Sequence, residues 1–244
     1  MTYALFGSAA NRYDWHTPPH HYQDDHNFIL SRLPKPPGRV LDVGCGTGVF
    51  LEKAISAGFD TTGLDASAEM VSIAGGRVGS DRVRLERMQD LTESEVYDAI
   101  VSLSWSFNYV NSFLEAEDVL NRFFKALKPH GSLILQIAHA PNATGLLNED
   151  REPGPGGQPE DVLFLYRFSG IKDNPSNLRA QYVYACKSRA ELLCEEHRLG
   201  AADAREVASH AAAIGFQQIE LLNSWRCDPF DRSISVFLIA VRPA

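Results

Sequence analysis

The sequence predicts an α/β fold in which a parallel sheet carries a small antiparallel sheet inserted in its second half. Three observations carry that reading. Up to residue 138, short apolar runs alternate with longer segments of helical spacing, the pattern of successive βα units. Beyond it the rhythm breaks into a Pro- and Gly-rich stretch and segments that alternate with period two. The first strand, finally, runs into a turn with glycines at 44, 46 and 48.

Each element follows from its local pattern. Residues 1–38, rich in aromatic side chains and histidine, precede the first strand. Residues 40–43 are a short buried strand, and 44–48 are the glycine turn. Val49, Phe50, Lys53, Ala54 and Ala57 then carry a helix that stops near Gly58. A second strand at 61–64, a helix from Ser67, and strands at 83–86 and 99–103 follow, read as five βα steps in a row. Residues 115–127 form an amphipathic helix with Val119, Leu120, Phe123, Phe124 and Leu127 on one side, ended by Lys128-Pro129-His130-Gly131. Strand 133–138 completes the first half. Residues 148–161 read as an exposed, mobile loop, and 163–168, 180–187 and 192–198 as antiparallel strands. Asp203 caps a helix over 203–214, with Glu206 three residues on and Gly215 closing it; strands at 216–222 and 233–241 end the chain. The expected organisation is a cover over 1–38 and one domain over 39–244, in which 140–200 is an insertion and substrate lid.

Composition narrows the functional classes. The 244 residues carry 31 acidic and 23 basic side chains, a net charge of −8. A protein that neutralises phosphates needs a surplus of Lys and Arg, so nucleic acid is not an expected partner. No stretch approaches the roughly 18 consecutive apolar residues of a membrane span, and residues 1–14 lack a basic region followed by an apolar run, so no membrane partner and a cytoplasmic location are expected. Cys45, Cys186, Cys194 and Cys227 are scattered without a CxxC pair, which argues for reduced thiols. Histidines 16, 20, 21 and 26 crowd the cover, but Thr17-Pro18-Pro19 breaks any helix that would align the first two, so no metal is expected.

The informative stretch is Val40-Leu41-Asp42-Val43-Gly44-Cys45-Gly46-Thr47-Gly48. Closely spaced glycines after a strand let the backbone bend sharply and let a ligand approach with no Cβ in the way. A dinucleotide fingerprint requires G-x-G-x-x-G, and Val49 stands where its third glycine would be. The G-x-G-x-G form with an aspartate two residues before it resembles motif I of the class I S-adenosylmethionine-dependent methyltransferases. The resemblance extends to Gly63-Leu64-Asp65-Ala66-Ser67, where that family grips the ribose hydroxyls, with Met70 placed to cover the adenine. It continues at Gln89-Asp90-Leu91, the adenine edge, and at Ser102-Leu103-Ser104, near the methionine part of the cofactor.

What the resemblance implies is a Rossmann-like seven-stranded methyltransferase fold with an N-terminal helical cover, for which the aromatic-rich residues 12–16 and 20–22 would serve, and a cofactor site of Asp42, Gly44, Cys45, Gly46, Gly48, Asp65, Ala66, Met70, Asp90, Leu91 and Ser102. Plainer roles stand beside these: Asp65 as a helix cap, Cys45 as a packing residue, Asp42 as the residue that orients the turn. Ser106-Phe107-Asn108-Tyr109-Val110, residues 135–142 and Pro229-Phe230-Asp231 are similar to a bacterial subgroup related to glycine N-methyltransferases and antibiotic-pathway small-molecule methyltransferases. The implied activity is methyl transfer to nitrogen or oxygen of a small molecule in a biosynthetic pathway. The alternatives are a catalytically silent cofactor-binding module and an RNA methyltransferase; a homodimer is the expected assembly.

A hydroxyl acceptor benefits from a base where a neutral amine does not. His139, just past the fifth strand, has an ordinary pKa of about 6.5 and is the first candidate, with His20 and Tyr13 in the cover as further catalytic candidates. Tyr109 and Trp105 are candidate walls of the acceptor site, and Arg167 a candidate partner for an acceptor carboxylate; core packing and a solvated arginine are the alternative roles.

Overall fold

The protein is described here by a computed structural model covering residues 3–224 and 226–244; the first two residues of the expected cover lie outside the described residues. Helices α1 (Tyr13–His16) and α2 (Gln23–Arg32) precede the sheet. The first half then runs β1 (Arg39–Val43), α3 (Val49–Ser56), β2 (Asp60–Asp65), α4 (Ala68–Val78), β3 (Val83–Leu85), β4 (Tyr97–Ser102), α5 (Phe113–Ala126) and β5 (Leu127–Ala138). Strands β6 (Thr144–Glu152), β7 (Val162–Ile171), β8 (Asn174–Cys186) and β9 (Glu191–Leu199) follow, and α6 (Ala204–Ile214), β10 (Gln217–Asn223) and β11 (Ser235–Val241) close the chain.

The main sheet has seven strands in the order β10-β11-β5-β4-β1-β2-β3. Strands β1 to β5 pair in parallel, while β11 runs antiparallel between β5 and β10. Period-two alternation sends successive residues to opposite faces. Leu41, Val43, Ile100, Leu133 and Leu135 pack with Val119, Leu120 and Phe123 of α5 and Val207 of α6. Val40, Ala99, Val101, Ile134 and Phe237 pack with Phe50 and Ala54 of α3 and with Ile29 of α2. Burial on both faces explains the near-continuous apolar runs in these strands. It also shows that α2, within the expected cover, is part of the core layer, with Ile29 fully buried.

The four later strands form a separate antiparallel sheet in the order β6-β7-β8-β9, inserted between β5 and α6. Two expectations are corrected. Residues 148–161 are not all loop: Thr144–Glu152 is a strand paired to β7, and the loop is confined to 153–161. This edge strand has Leu146 and Leu147 exposed and no buried side chain, so it lacks the alternating burial that marks a strand in sequence. Nor are there five βα steps: β3 connects to β4 through a single helical turn at Met88–Asp90, with no α-helix.

Order reverses between β1 and β4, so the crevice beyond their carboxyl ends is the place where an open α/β sheet receives a ligand. Gly63 on β2 fits the packing behind that crevice, since a Cβ there would meet Leu51 Cδ1 at 2.8 Å and Cys45 Sγ at 2.9 Å. Gly76 in α4 faces open space. Gly63→Ala is therefore expected to destabilise the protein by about 1–3 kcal/mol through overpacking. Gly76→Ala should stabilise it by about 0.4–1 kcal/mol by restricting the unfolded chain. Urea denaturation of the two variants checks the opposite signs.

Candidate functional site

The site begins where β1 ends. Gly44 and Cys45 donate their amides to Leu64 O at 2.8 and 3.1 Å, and Gly46 donates to Asp65 Oδ2 at 2.9 Å, so the turn is held against the end of β2. Gly44, Gly46 and Gly48 all have positive φ, at 73°, 53° and 82°. A Cβ on Gly44 would meet Ser106 Cβ at 2.5 Å, and one on Gly48 would meet Ala74 Cβ at 3.0 Å, whereas Gly46 has nothing within 4 Å. The outer glycines allow close packing; Gly46 leaves room for a ligand.

Two carboxyl groups flank this turn. Asp65 accepts Gly46 N on one oxygen and Ser67 N on the other, both at 2.9 Å, which leaves each oxygen a lone pair. Asp42 is 2% exposed, and among the described residues no hydrogen bond reaches its carboxyl group. Burial, reinforced by the negative charge of Asp65, pushes Asp42 up to about 8. Burial also raises Asp65, against the pull of its amide donors. Such a pair favours a bound cation, which would offset both the desolvation and the mutual repulsion.

Around the turn lies a cavity of about 620 Å³. Its walls include Leu64, Met70 and Met88 on one side, and Ser104, Ser106 and Tyr109 beyond β4. Tyr3, Phe6, Tyr13, Tyr22 and His26 contribute from the N-terminal segment, and Arg198 from β9. The segment is stitched down on two sides. Thr47 Oγ1 donates to Asp14 at 2.7 Å, Arg77 pairs with the other Asp14 oxygen at 2.6 Å, and Ser67 Oγ donates to Phe6 O. On the inserted sheet, Arg12 holds Glu191 at 2.6 Å, and Glu195 accepts the amides of Ala4 and Leu5.

The structure brings Tyr13, Asp42, Gly44, Cys45, Gly46, Asp65, Ala66, Met70 and Tyr109 to this cavity. Cys45 also packs with Leu51, Ala74 and Val83, and burial pushes its thiol well up, away from a reactive thiolate. Other expected site residues lie elsewhere. Ser102 is fully buried and donates to Val43 O at 2.9 Å, tying β4 to β1; Ser104 and Ser106 line the cavity in its place. Asp90 is exposed and Leu91 is a core residue, while Met88 and Gln89 reach the cavity, because the short turn after β3 presents its first residues and turns the later ones away. Gly48 serves the contact between α3 and α4.

His139 does not line the cavity: its Nδ1 accepts Ala204 N at 3.2 Å, Asp203 is 3.6 Å away, and its ring edge meets Phe230. Past β5 the chain turns toward the start of α6, which carries this histidine away from the glycine turn. His20 is exposed beside His21, which bonds Glu152 at 2.7 Å. Trp105 meets Phe168 edge to face and donates to Ser235 Oγ at 3.0 Å, and Arg167 is exposed on β7. Sequence reasoning missed Tyr3, Phe6 and Arg198; the aromatic density of the N-terminal segment was the available signal for the first two, whereas Arg198 has none.

A family model described as a methyltransferase domain matches residues 15–221. A dTDP-3-amino-3,4,6-trideoxy-α-D-glucopyranose N,N-dimethyltransferase of Streptomyces venezuelae is 29% identical over 110 residues, 45% of this chain and 46% of its own. A glycine/sarcosine N-methyltransferase of Halorhodospira halochloris is 33% identical over 118 residues, 45% of this chain and 43% of its own. The chain spans about half, or less, of the length of the curated relatives it matches. Among solved structures, the S-adenosylmethionine-bound amino pentose methyltransferase CalS10 from Micromonospora echinaspora shares the fold, with a TM-score of 0.70 at 21% identity over 91% of both chains. Because the family match runs from α1 into β10 and takes in the glycine turn with both flanking carboxyl groups, the chain belongs to the methyltransferase-domain family.

Proposed function

We propose that this protein transfers a methyl group from S-adenosylmethionine to the amine nitrogen of a small molecule. The observation that carries the reading is a pair of carboxyl groups, Asp42 buried and Asp65 half-buried, set on either side of a turn whose central glycine leaves ligand space. The residues fit the cofactor. Asp65 offers two oxygens on a rigid strand end for a ribose diol, Leu64, Met70 and Met88 offer apolar surface for a purine, and Gln89 stands at its edge. Asp42, without a protein partner, would meet the cationic end.

Bound there, the cofactor supplies a methyl group on a positively charged sulfur, already activated for displacement. The chain then has to orient the acceptor, exclude water and leave the nucleophile its lone pair. The aromatic roof of Tyr3, Phe6, Tyr13 and Tyr22 excludes water, and the inserted sheet, through Arg198, closes the acceptor side as a lid. The amine acceptor is favoured by the activities of the relatives, which act on an aminosugar nucleotide and on glycine or sarcosine.

Calorimetry should show S-adenosylmethionine binding to the wild type and at least about tenfold weaker binding to Asp65→Ala, the loss of charge-assisted hydrogen bonds worth about 1.5–3 kcal/mol. Release of S-adenosylhomocysteine should appear with amines in a panel of amines, phenols and carboxylates. No cofactor binding would remove the reading, and binding without turnover of any acceptor would identify a silent module. Because a bound cation must displace the proton on Asp42, affinity should rise with pH up to about 8 and level off above it. Asp42→Asn should abolish that slope in the same titrations. Gly46→Ala, whose Cβ enters open space, should weaken cofactor binding while costing only about 1–2 kcal/mol of stability for a side chain at positive φ, read from thermal melts with and without cofactor.

A further inference from the structure

Behind the acceptor side of the cavity stands a row of three polar side chains. Tyr109, in the turn after β4, lines the cavity; His197 and Glu195, two residues apart and so on one face of β9, stand behind it. Tyr109 Oη lies 2.6 Å from His197 Nδ1, and His197 Nε2 lies 3.2 Å from Glu195 Oε2. His197 is fully buried, and its Nε2 makes no aligned hydrogen bond among the described residues. A ring lone pair facing a carboxylate at that distance is repelled, whereas an N–H there is attracted. The favoured tautomer therefore carries its proton on Nε2, and Nδ1 accepts from the Tyr109 hydroxyl. The phenol oxygen then keeps its remaining lone pairs for the cavity.

We propose that Tyr109, His197 and Glu195 form a proton relay that takes up the proton a protic acceptor must lose, with Tyr109 as the catalytic residue and His197 and Glu195 as positioning residues behind it. The proposal rests on the methyl-transfer reading above. An aliphatic amine is protonated at neutral pH and attacks only once it has lost that proton: as one N–H bond of the ammonium form breaks and leaves the nitrogen its lone pair, a new O–H bond forms on Tyr109. The original Tyr109 O–H breaks at the same time and an N–H forms on His197 Nδ1. The proton ends on the imidazole, and its charge is balanced by the Glu195 carboxylate. No oxidant or further reactant is consumed.

The surroundings suit that task. Tyr3 stacks on the His197 ring at 3.8 Å, and Phe6 and Tyr182 meet its edges at 5.3 and 4.9 Å, which keeps water from the ring. The titratable groups facing the relay are Tyr3 and Tyr13 from the N-terminal segment, Tyr182 from β8 and Glu195 itself. Glu195 is the one carboxylate among them, and Arg198 follows His197 at the cavity rim. Burial holds His197 below the ordinary imidazole value, so it stands neutral and ready to accept at pH 7.

The tautomer decides the proposal without any acceptor. In the full-length protein labelled with 15N-histidine, long-range proton–nitrogen correlation at pH 7 should show His197 protonated on Nε2 alone, with an Nδ1 shift that moves in Tyr109→Phe. An Nδ1–H tautomer, or a doubly protonated ring, would overturn the relay. Kinetics adds a second reading, with glycine and dTDP-3-amino-3,4,6-trideoxyglucose as probe amines. His197→Gln leaves Tyr109 a hydrogen-bond acceptor but no site for the proton; kcat should fall by at least about tenfold while the calorimetric Kd for S-adenosylmethionine stays within about twofold. An unchanged kcat in His197→Gln and Tyr109→Phe would sink the relay. If the wild type methylates neither probe, the amine reading fails, and the histidine tautomer still decides the relay.

Discussion

Much of this molecule hangs on three backbone amides. Gly44, Cys45 and Gly46 point their N–H groups at Leu64 O and Asp65 Oδ2, so the end of β1 is locked to the end of β2 by the turn itself. That lock sets the φ values only glycine adopts without strain, and it aims Asp65 and Thr47. Through Thr47 it also reaches Asp14 and Arg77, and with them the N-terminal segment. Cavity floor and cavity roof are thus fastened to one short stretch of chain.

Charge takes on meaning at the same place. A net −8 spread over a surface says little, but two acids brought to the ends of adjacent strands, one buried and one half-buried, create a strong local preference for a cation. Asp42 bears most of the cost, because burial leaves it little solvent and, among the described residues, no donor. A group of this kind is more useful to a ligand than to the fold, since an unpaired buried carboxyl group destabilises the protein that holds it.

The main sheet was legible because both of its faces are buried and its strands read as apolar runs. The glycine turn was legible because its backbone tolerates few other residues. Asp65 and Met70 followed from the resemblance to the methyltransferase family, which sets a carboxylate at the end of the second strand. What escaped depends on the path of the chain in space. His139 looked well placed at the end of β5 until β11 and the start of α6 were seen to draw it aside. Asp90 gave way to Met88 and Gln89 because a single tight turn replaced the expected helix. His197 alternates with exposed neighbours on a strand, as a surface residue would, and only the packing of Tyr3 and Tyr182 on its ring reveals a buried site. Strand β6 escaped because an edge strand exposed on both faces has no burial to report.

The N-terminal segment holds itself down by unequal means. Its later part, α2, is anchored by apolar burial under the sheet, while residues 3–14 add to the burial of Leu5, Ala9 and Ala10 a set of ion pairs and amide contacts to Thr47, Arg77, Glu191 and Glu195. Apolar burial is indifferent to salt, whereas half-buried ion pairs weaken with it, though less than exposed ones. The front of the roof is therefore the part whose hold depends on ionic strength. Tyr3, stacked on His197, belongs to that part, so the salt content of the medium reaches the wall of the cavity while the core beneath it is untouched.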